Sequence, residues 1–423
     1  MRFARRGPLD DGRITAPGAP PRLYALDGFR LVAALLVVFY HYLALKGGWG
    51  HSPKTIFPTL HKYAQYGWVG VEIFFLISGF VICMSTWGRT LGDFVISRAS
   101  RLYPGYWAAV LITAGVIITW PQVRQVHDLD VVLTNLTMLQ QGLGVWDVDG
   151  VYWTLFTELK FYLLFAVVVA MGVTYRRCVL FCGVWTVAAV IAPSVNNKLL
   201  TTWAMPLFAP YFVAGIAFYL MYRYRPTAVL WGIVGISFLL ADHHMIKRVK
   251  DNVDPGAPYW PARLMVLVAF VIMAMMANGW FNRIQWRWLT TAGALTYPLY
   301  LLHQYIGLTI IYALRDRVPA PLLVAGLVVV MLGAAWLMQR YIEVPLGKKL
   351  RTALKKGMAE IRLHTPAPRS AEHSGRERPA AEDRTPAQPH PYEPVAATVP
   401  AAPPVAAPAQ TTAPAPDWFG QRS

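Results

Sequence analysis

A chain of 423 residues that is 56% hydrophobic and only 14% charged, yet holds 16 Trp and 21 Tyr, has the composition of a membrane protein and excludes an ordinary soluble globular one. Its formal net charge of +17 comes from Lys and Arg in short clusters between apolar segments. With no basic stripe and no nucleic-acid motif, that charge orients the chain in a bilayer and does not point to nucleic acid as a partner.

The first 25 residues carry Arg2, Arg5, Arg6, Arg13 and Arg22 among Pro and Gly. They hold no short apolar stretch ending in a cleavage site, so the first apolar run is expected to stay in the protein as a helix. A bilayer-crossing helix needs about 20 mostly apolar residues. Such runs predict about ten spans, near 29–45, 67–85, 105–120, 151–173, 178–193, 206–222, 227–241, 261–281, 291–313 and 320–341. The fold class is therefore an all-α polytopic membrane protein.

Alternate connections are basic (Arg98 and Arg101, Arg176 and Arg177, Arg223 and Arg225, Arg283 and Arg287). The others hold Asp128, Asp130, Asp147, Asp149, Asp242 and Asp251, with Lys247, Arg248 and Lys250 dissenting. The positive side is the inner one, which puts both termini in the cytoplasm. Cys83, Cys178 and Cys182 lie in apolar runs with neither a disulfide framework nor metal-ligand spacing, and no metal is expected.

After the last span, Lys348, Lys349, Arg351, Lys355 and Lys356 either meet anionic lipid head groups or serve only as a topology signal. From about residue 358 the chain has too few large apolar side chains to form a core, and disorder is expected. The organisation predicted is a cytoplasmic segment 1–25, a transmembrane domain 26–346, and a basic, then Pro/Ala-rich cytoplasmic tail 347–423.

Ionisable side chains inside a bilayer are costly and turn toward a cavity, a partner or a pathway. On the first span His41 follows Arg30 by eleven residues, a rise of about 16 Å and about three turns. Arg30 is then at the inner end and His41 near mid-membrane on the same face. An intramembrane His of this kind is either a packing hydrogen-bonder or a catalyst. Glu72 and Ser78 fall about 8 and 16 Å below the outer end of the second span, and Glu158 about 10 Å down the fourth.

Those depths overlap that of His41. A carboxylate beside an imidazole fixes its tautomer and raises its basicity. The alternative for each Glu is a structural partner, with Lys160 or Arg263 available to Glu158. Arg98 and Arg101, one turn apart before Pro104, either present two guanidinium forks to phosphate oxygens or mark topology alone. On the ninth span Tyr300 and His303 share a face, with Tyr297 a turn earlier. Glu343 and Pro345 close the tenth.

These separated motifs resemble the acyltransferase 3 family of integral membrane acyltransferases over about residues 22–346. The matching features are Arg30 and His41 on the first span, Gly70 to Phe80 on the second, and Arg98, Arg101 and Pro104 before the third. To these are added Trp153, Glu158, Phe161 and Tyr162, then Tyr297, Tyr300 and His303, and finally Glu343 with Pro345. The resemblance implies a bacterial inner-membrane O-acyltransferase that moves an acyl group, commonly acetyl, from cytoplasmic acyl-CoA to a hydroxyl of a glycan or macrolide.

On that reading acyl-CoA is a co-substrate and no cofactor is bound permanently. Arg30, Arg98 and Arg101 hold its phosphates. His41, oriented by Glu158 or Glu72, acts as general base or forms an acyl-histidine. Ser78, Tyr300, His303 and Trp153 are substrate or oxyanion contacts. Some members of the family add a further span and a soluble hydrolase-like domain, for which no Gly-Asp-Ser motif is found in the tail. Two other readings stay open. A proton-coupled transporter or flippase of a glycan or lipid-linked substrate also suits buried His and Glu, and a membrane scaffold with an interaction tail needs no chemistry at all.

Overall fold

The computed structural model describes residues 23–125 and 128–364. Expectations for the segment before residue 23 and the tail beyond 364 lie outside the described residues. The chain divides into units 1–359 and 360–423, and the first is the membrane body. Every regular element among the described residues is helical, because in lipid a helix satisfies its own backbone groups without water.

In chain order, α1 (Tyr24–Leu43) is followed by the short α2 (Pro53–Ile56) and α3 (Pro58–Ala64), which lead into α4 (Val69–Thr86). Next come α5 (Leu91–Thr119), the short α6 (Leu129–Asn135) and α7 (Gln140–Leu143), and α8 (Trp153–Ala170). The second half holds α9 (Tyr175–Val195), the short α10 (Lys198–Ala204), α11 (Ala209–Arg223), α12 (Ala228–Asn252) and α13 (Trp260–Ala277). It closes with α14 (Trp288–Leu314), α15 (Ala320–Met338), a π-helical turn Gln339–Glu343 and α16 (Val344–His364).

Nine helical stretches among the described residues are long and apolar enough to cross a membrane. The tenth expected span is α14, richer in Thr, Gln and His but 27 residues long, about 40 Å at the helical rise. It packs against α1, α5 and α15. The protein is thus an all-α multi-pass membrane protein, and the ten apolar runs correspond to α1, α4, α5, α8, α9 and α11 to α15.

Two boundaries differ from expectation. The third span was expected to enter at a basic turn near residue 105, whereas α5 starts at Leu91, where the Thr90 hydroxyl accepts the Asp93 N–H (3.2 Å). Arg98, Arg101 and Pro104 therefore sit inside a continuous helix. Likewise α12 runs past its apolar stretch to Asn252, which carries Arg248 into the protein (4% exposed) instead of onto a connection.

The centre of the bundle is α4, which packs on α1 and α11 through bare glycine backbone. A Cβ on Gly70 would stand 2.3 Å from the Ala33 carbonyl oxygen, and Cβ atoms on Gly79 and Gly215 would stand 2.1 Å from the Phe212 and Leu76 carbonyls. Small residues at such crossings let helix backbones approach in a membrane, where no hydrophobic drive separates helix from lipid. The run Ala209–Met221 of α11 is buried throughout as a result.

The connection between α5 and α8 is not a plain outer loop. Met138, Val148 and Tyr152 are fully buried, together with the polar Asn135, Gln140 and Asp149. Buried irregular backbone needs partners. Asn135 supplies them by donating to the Val131 and Trp146 carbonyls (2.8 Å each) and accepting the Val148 N–H (2.9 Å).

Candidate active site

A cavity of about 310 Å³ opens among α1, α4, α5, α8 and α14. Arg30 of α1 and Arg98 and Arg101 of α5 line it, together with Glu158 of α8, Ser78 of α4 and Tyr300 of α14. The three guanidiniums converge because Arg98 and Arg101 are one turn apart on α5 while Arg30 projects from the neighbouring α1. Arg30 and Arg101 form no hydrogen bond or ion pair with the described residues. Arg98 donates to Ser97 Oγ (3.1 Å) and keeps a buried Nε without a partner. Unspent donors of this kind are what an anion with several oxygens would take up.

Glu158 is committed within the cavity. Its Oε1 accepts the Ser78 hydroxyl (2.5 Å) and the Tyr162 hydroxyl. It does not touch His41, and the alternative cations are occupied elsewhere: Lys160 donates to the Thr202 carbonyl (3.3 Å) and Arg263 pairs with Asp242 (3.0 Å).

His41 and His303 meet behind this cavity and do not line it. Their rings lie 4.9 Å apart at 68°, with His303 Nε2 3.1 Å from His41 Nδ1. Backbone carbonyls fix the protons. His303 Nδ1 lies 2.8 Å from the Tyr300 carbonyl, which only accepts, so Nδ1 carries hydrogen and Nε2 is left as an acceptor. His41 Nδ1 lies 2.8 Å from the Val37 carbonyl, so it too carries hydrogen, shared between that oxygen and His303 Nε2. The lone pair of His41 is then on Nε2, which takes no hydrogen bond from the described residues. An imidazole held by a carbonyl and a second imidazole has a fixed tautomer and orientation, and His303 stands where an orienting carboxylate was expected from the sequence.

Tyr300 stands between the two regions. It lines the cavity, its ring centroid is 5.7 Å from that of His303, and its hydroxyl is bonded to Thr154 Oγ1 (2.8 Å) and donates to the Val151 carbonyl (3.3 Å).

Glu72 is brought to Arg248 and not to His41. Its Oε1 accepts from Nε (2.9 Å) and Nη2 (2.7 Å), with Glu72 1% and Arg248 4% exposed. The guanidinium also lies 4.9 Å over the Trp68 ring and 5.3 Å over Phe208. The geometry is that of a buried ion pair joining α4 to α12. Trp153 lies outside the cavity lining and packs its ring against Phe208 (5.4 Å) and Phe75 (6.4 Å).

Two residues at the site carried no signal in the sequence beyond their neighbours. Tyr42, next to His41, donates its hydroxyl to the His303 carbonyl (2.8 Å). Asp149 read as one more acid of an outer connection, yet it is fully buried and accepts the Tyr305 and Val151 N–H groups (3.1 and 3.2 Å). Burial pushes its carboxyl up to about 7 and that of Asp147 to about 6, against the hydrogen bonds that favour their ionised forms.

Comparison with known proteins bears directly on this arrangement. The family model described as an acyltransferase domain matches residues 23–340. The chain belongs to the acyltransferase 3 family. It is therefore a membrane acyltransferase. The exopolysaccharide production protein ExoZ of Rhizobium meliloti (strain 1021) is 27% identical over 56% of this chain and 76% of its own length. The acyltransferase MdmB of Streptomyces mycarofaciens is 26% identical over 67% of this chain and 79% of its own. The O-acetyl transferase of Shigella phage Sf6 is 26% identical over 46% and 59%. No solved structure matches the chain.

Proposed function

We propose that this membrane O-acyltransferase takes an acyl group, acetyl in the first instance, from cytoplasmic acyl-CoA and passes it to a hydroxyl of an envelope glycan or a macrolide at a bacterial inner membrane, with both termini inside. The observation that carries the reading is the convergence of Arg30, Arg98 and Arg101, with donors unspent, on one cavity whose wall residue Tyr300 lies against His303 of an oriented histidine pair. Coenzyme A carries several phosphate charges, which guanidinium forks bind bidentately. The relatives named for exopolysaccharide production and O-acetyl transfer support an acetyl group and a glycan hydroxyl as acceptor, and a macrolide stays open only as what the family resemblance implies.

The chemistry follows from the tautomers. The acceptor hydroxyl oxygen attacks the thioester carbonyl carbon as His41 Nε2 takes its proton. The imidazolium so formed keeps its Nδ1–H on Val37 and His303. When the tetrahedral intermediate collapses, the C–S bond breaks and the proton returns to the thiolate, leaving the ester and free CoA. Ser78 and Tyr300 line the cavity and are the candidate oxyanion donors, once their hydroxyl hydrogens leave Glu158 and the Val151 carbonyl.

The test uses the full-length protein in lipid nanodiscs with radiolabelled acetyl-CoA, alongside mass spectrometry of surface polysaccharides and secreted metabolites from cells with and without the gene. Saturable binding and an acyl mass lost with the gene are expected. Absence of both overturns the reading.

A further inference from the structure

The turn of α14 that carries His303 is entered by side chains from two other elements. On one side the Tyr42 hydroxyl of α1 donates to the His303 carbonyl (2.8 Å), and bare Gly307 makes the room: a Cβ there would stand 2.2 Å from the Tyr42 oxygen. On the other side Asp149, from the buried connection before α8, takes the N–H of Tyr305 (3.1 Å). In a continuous helix that N–H is aimed at the carbonyl four residues back, that of Leu301. The second oxygen of Asp149 accepts the Val151 N–H (3.2 Å). The same connection grips α14 one turn earlier, because Thr154 and the Val151 carbonyl bond the Tyr300 hydroxyl. His303 is thus held between two anchor points supplied by residues 149–154.

We propose that Asp149 is a positioning residue for the His41–His303 pair, its ionised carboxylate clamping the turn of α14 from which His303 meets His41. The inference rests on the acyl-transfer reading only for its kinetic consequence. Asp149 touches neither histidine ring and acts through the backbone of Tyr305. A carboxylate accepts at both oxygens; once protonated it gains a donor and loses acceptor capacity, so the clamp slackens on acidification.

The groups facing Asp149 set where that occurs. Asp147 on its own connection raises its proton affinity, and Tyr42 of α1, Tyr152, and Tyr300 and Tyr305 of α14 surround it as neutral phenols. Arg124 lies over the rings of Trp146 and Tyr305 (5.5 and 5.9 Å) and favours the charge of Asp147. With burial as the largest cause, the Asp149 carboxyl is pushed up to about 7. The clamp is closed above that value and opens as pH falls through it.

The test reads histidine tautomers by ¹⁵N magnetic resonance in the full-length protein, labelled at histidine and held in lipid nanodiscs, at pH 8 and pH 6. Wild type is expected to show the Nδ1–H form for His41 and His303 at pH 8 and a changed pattern at pH 6. Asp149→Ala loses the pH 8 pattern. Asp149→Asn, which like the protonated acid has one accepting oxygen and one donor, shows the wild-type pH 6 pattern at both values. In acetyl transfer from acetyl-CoA, Asp149→Ala falls about 10²-fold, the scale of a small misplacement of a catalytic group, with acetyl-CoA affinity unchanged. Asp149→Asn stays within about tenfold, the worth of one neutral hydrogen bond, and no longer loses activity between pH 8 and 6. The proposal is overturned if Asp149→Ala leaves the tautomers as they were, or if Asp149→Asn keeps the wild-type response to acid. The spectra need no acyl donor or acceptor, so a protein that transfers nothing sinks the acyl-transfer reading while leaving this one decided.

Discussion

Two regions of α1, eleven residues apart, solve opposite problems. Around Arg30 the protein assembles three cations and leaves most of their donors unspent in an open cavity. Around His41 it encloses two imidazoles and commits both Nδ1 hydrogens to backbone carbonyls. The first arrangement is incomplete until a charged ligand arrives, and the second is complete save for one lone pair. A region with spare hydrogen-bonding capacity draws binding energy from its ligand, whereas a region with none holds geometry that the reaction would otherwise have to organise. The buried Glu72–Arg248 pair supplies the contrast to both, since its charges already answer each other.

The comparison breaks most visibly at the histidine. His41→Ala is expected to lower acetyl transfer by about 10²–10⁴-fold, the usual worth of general base catalysis, while isothermal titration with CoA gives wild-type affinity. A parallel loss of CoA binding would merge the two regions into one. Glu72→Ala should act on stability instead. It strands a buried guanidinium, at a cost of about 3–5 kcal/mol, read as a fall in the thermal midpoint of purified protein. The paired change Glu72→Met with Arg248→Met should recover most of it. Arg30→Gln comes next, weakening CoA binding by about 10–100-fold for one charged hydrogen-bonding partner. The turnover number at saturating acetyl-CoA should change far less, and the loss should shrink in high salt.

How much of this was legible before the structure follows from what each signal measures. All ten apolar runs became helices because bilayer thickness fixes a minimum length that hydropathy reads directly. Arg98 and Arg101 were readable as neighbours because helical periodicity fixes which side chains share a face, and Arg30 only as a third cation on the same side of the membrane. Depth alone could not choose partners. Glu72 and His41 were expected at similar levels, but Glu72 belongs to Arg248, which had looked like a misplaced charge on a connection because α12 outruns its apolar stretch. The connection before α8 was the least legible part. Its buried Asn135, Gln140 and Asp149 have no periodicity, and polar residues between two spans read as solvent-facing until their backbone partners are seen.

The smallest expected effect tests the wall between the regions. Tyr300 lines the arginine cavity and its ring lies against that of His303, so it touches both regions. Its hydroxyl is tethered to Thr154 Oγ1 and, more weakly, to the Val151 carbonyl. Thr154→Val keeps the shape of the side chain and removes the first tether, at about 0.5–1.5 kcal/mol, while the second still satisfies the phenol. If Tyr300 is a barrier, loosening it lets thioester and water reach the histidine more often, and acetyl-CoA hydrolysis measured without acceptor should rise by up to about tenfold, the same free energy expressed as a rate. CoA affinity should stay put, because no arginine is touched. A fall in hydrolysis of the same size would show that the tether holds Tyr300 in a contact the reaction uses, and the two regions would then share a residue instead of being divided by one.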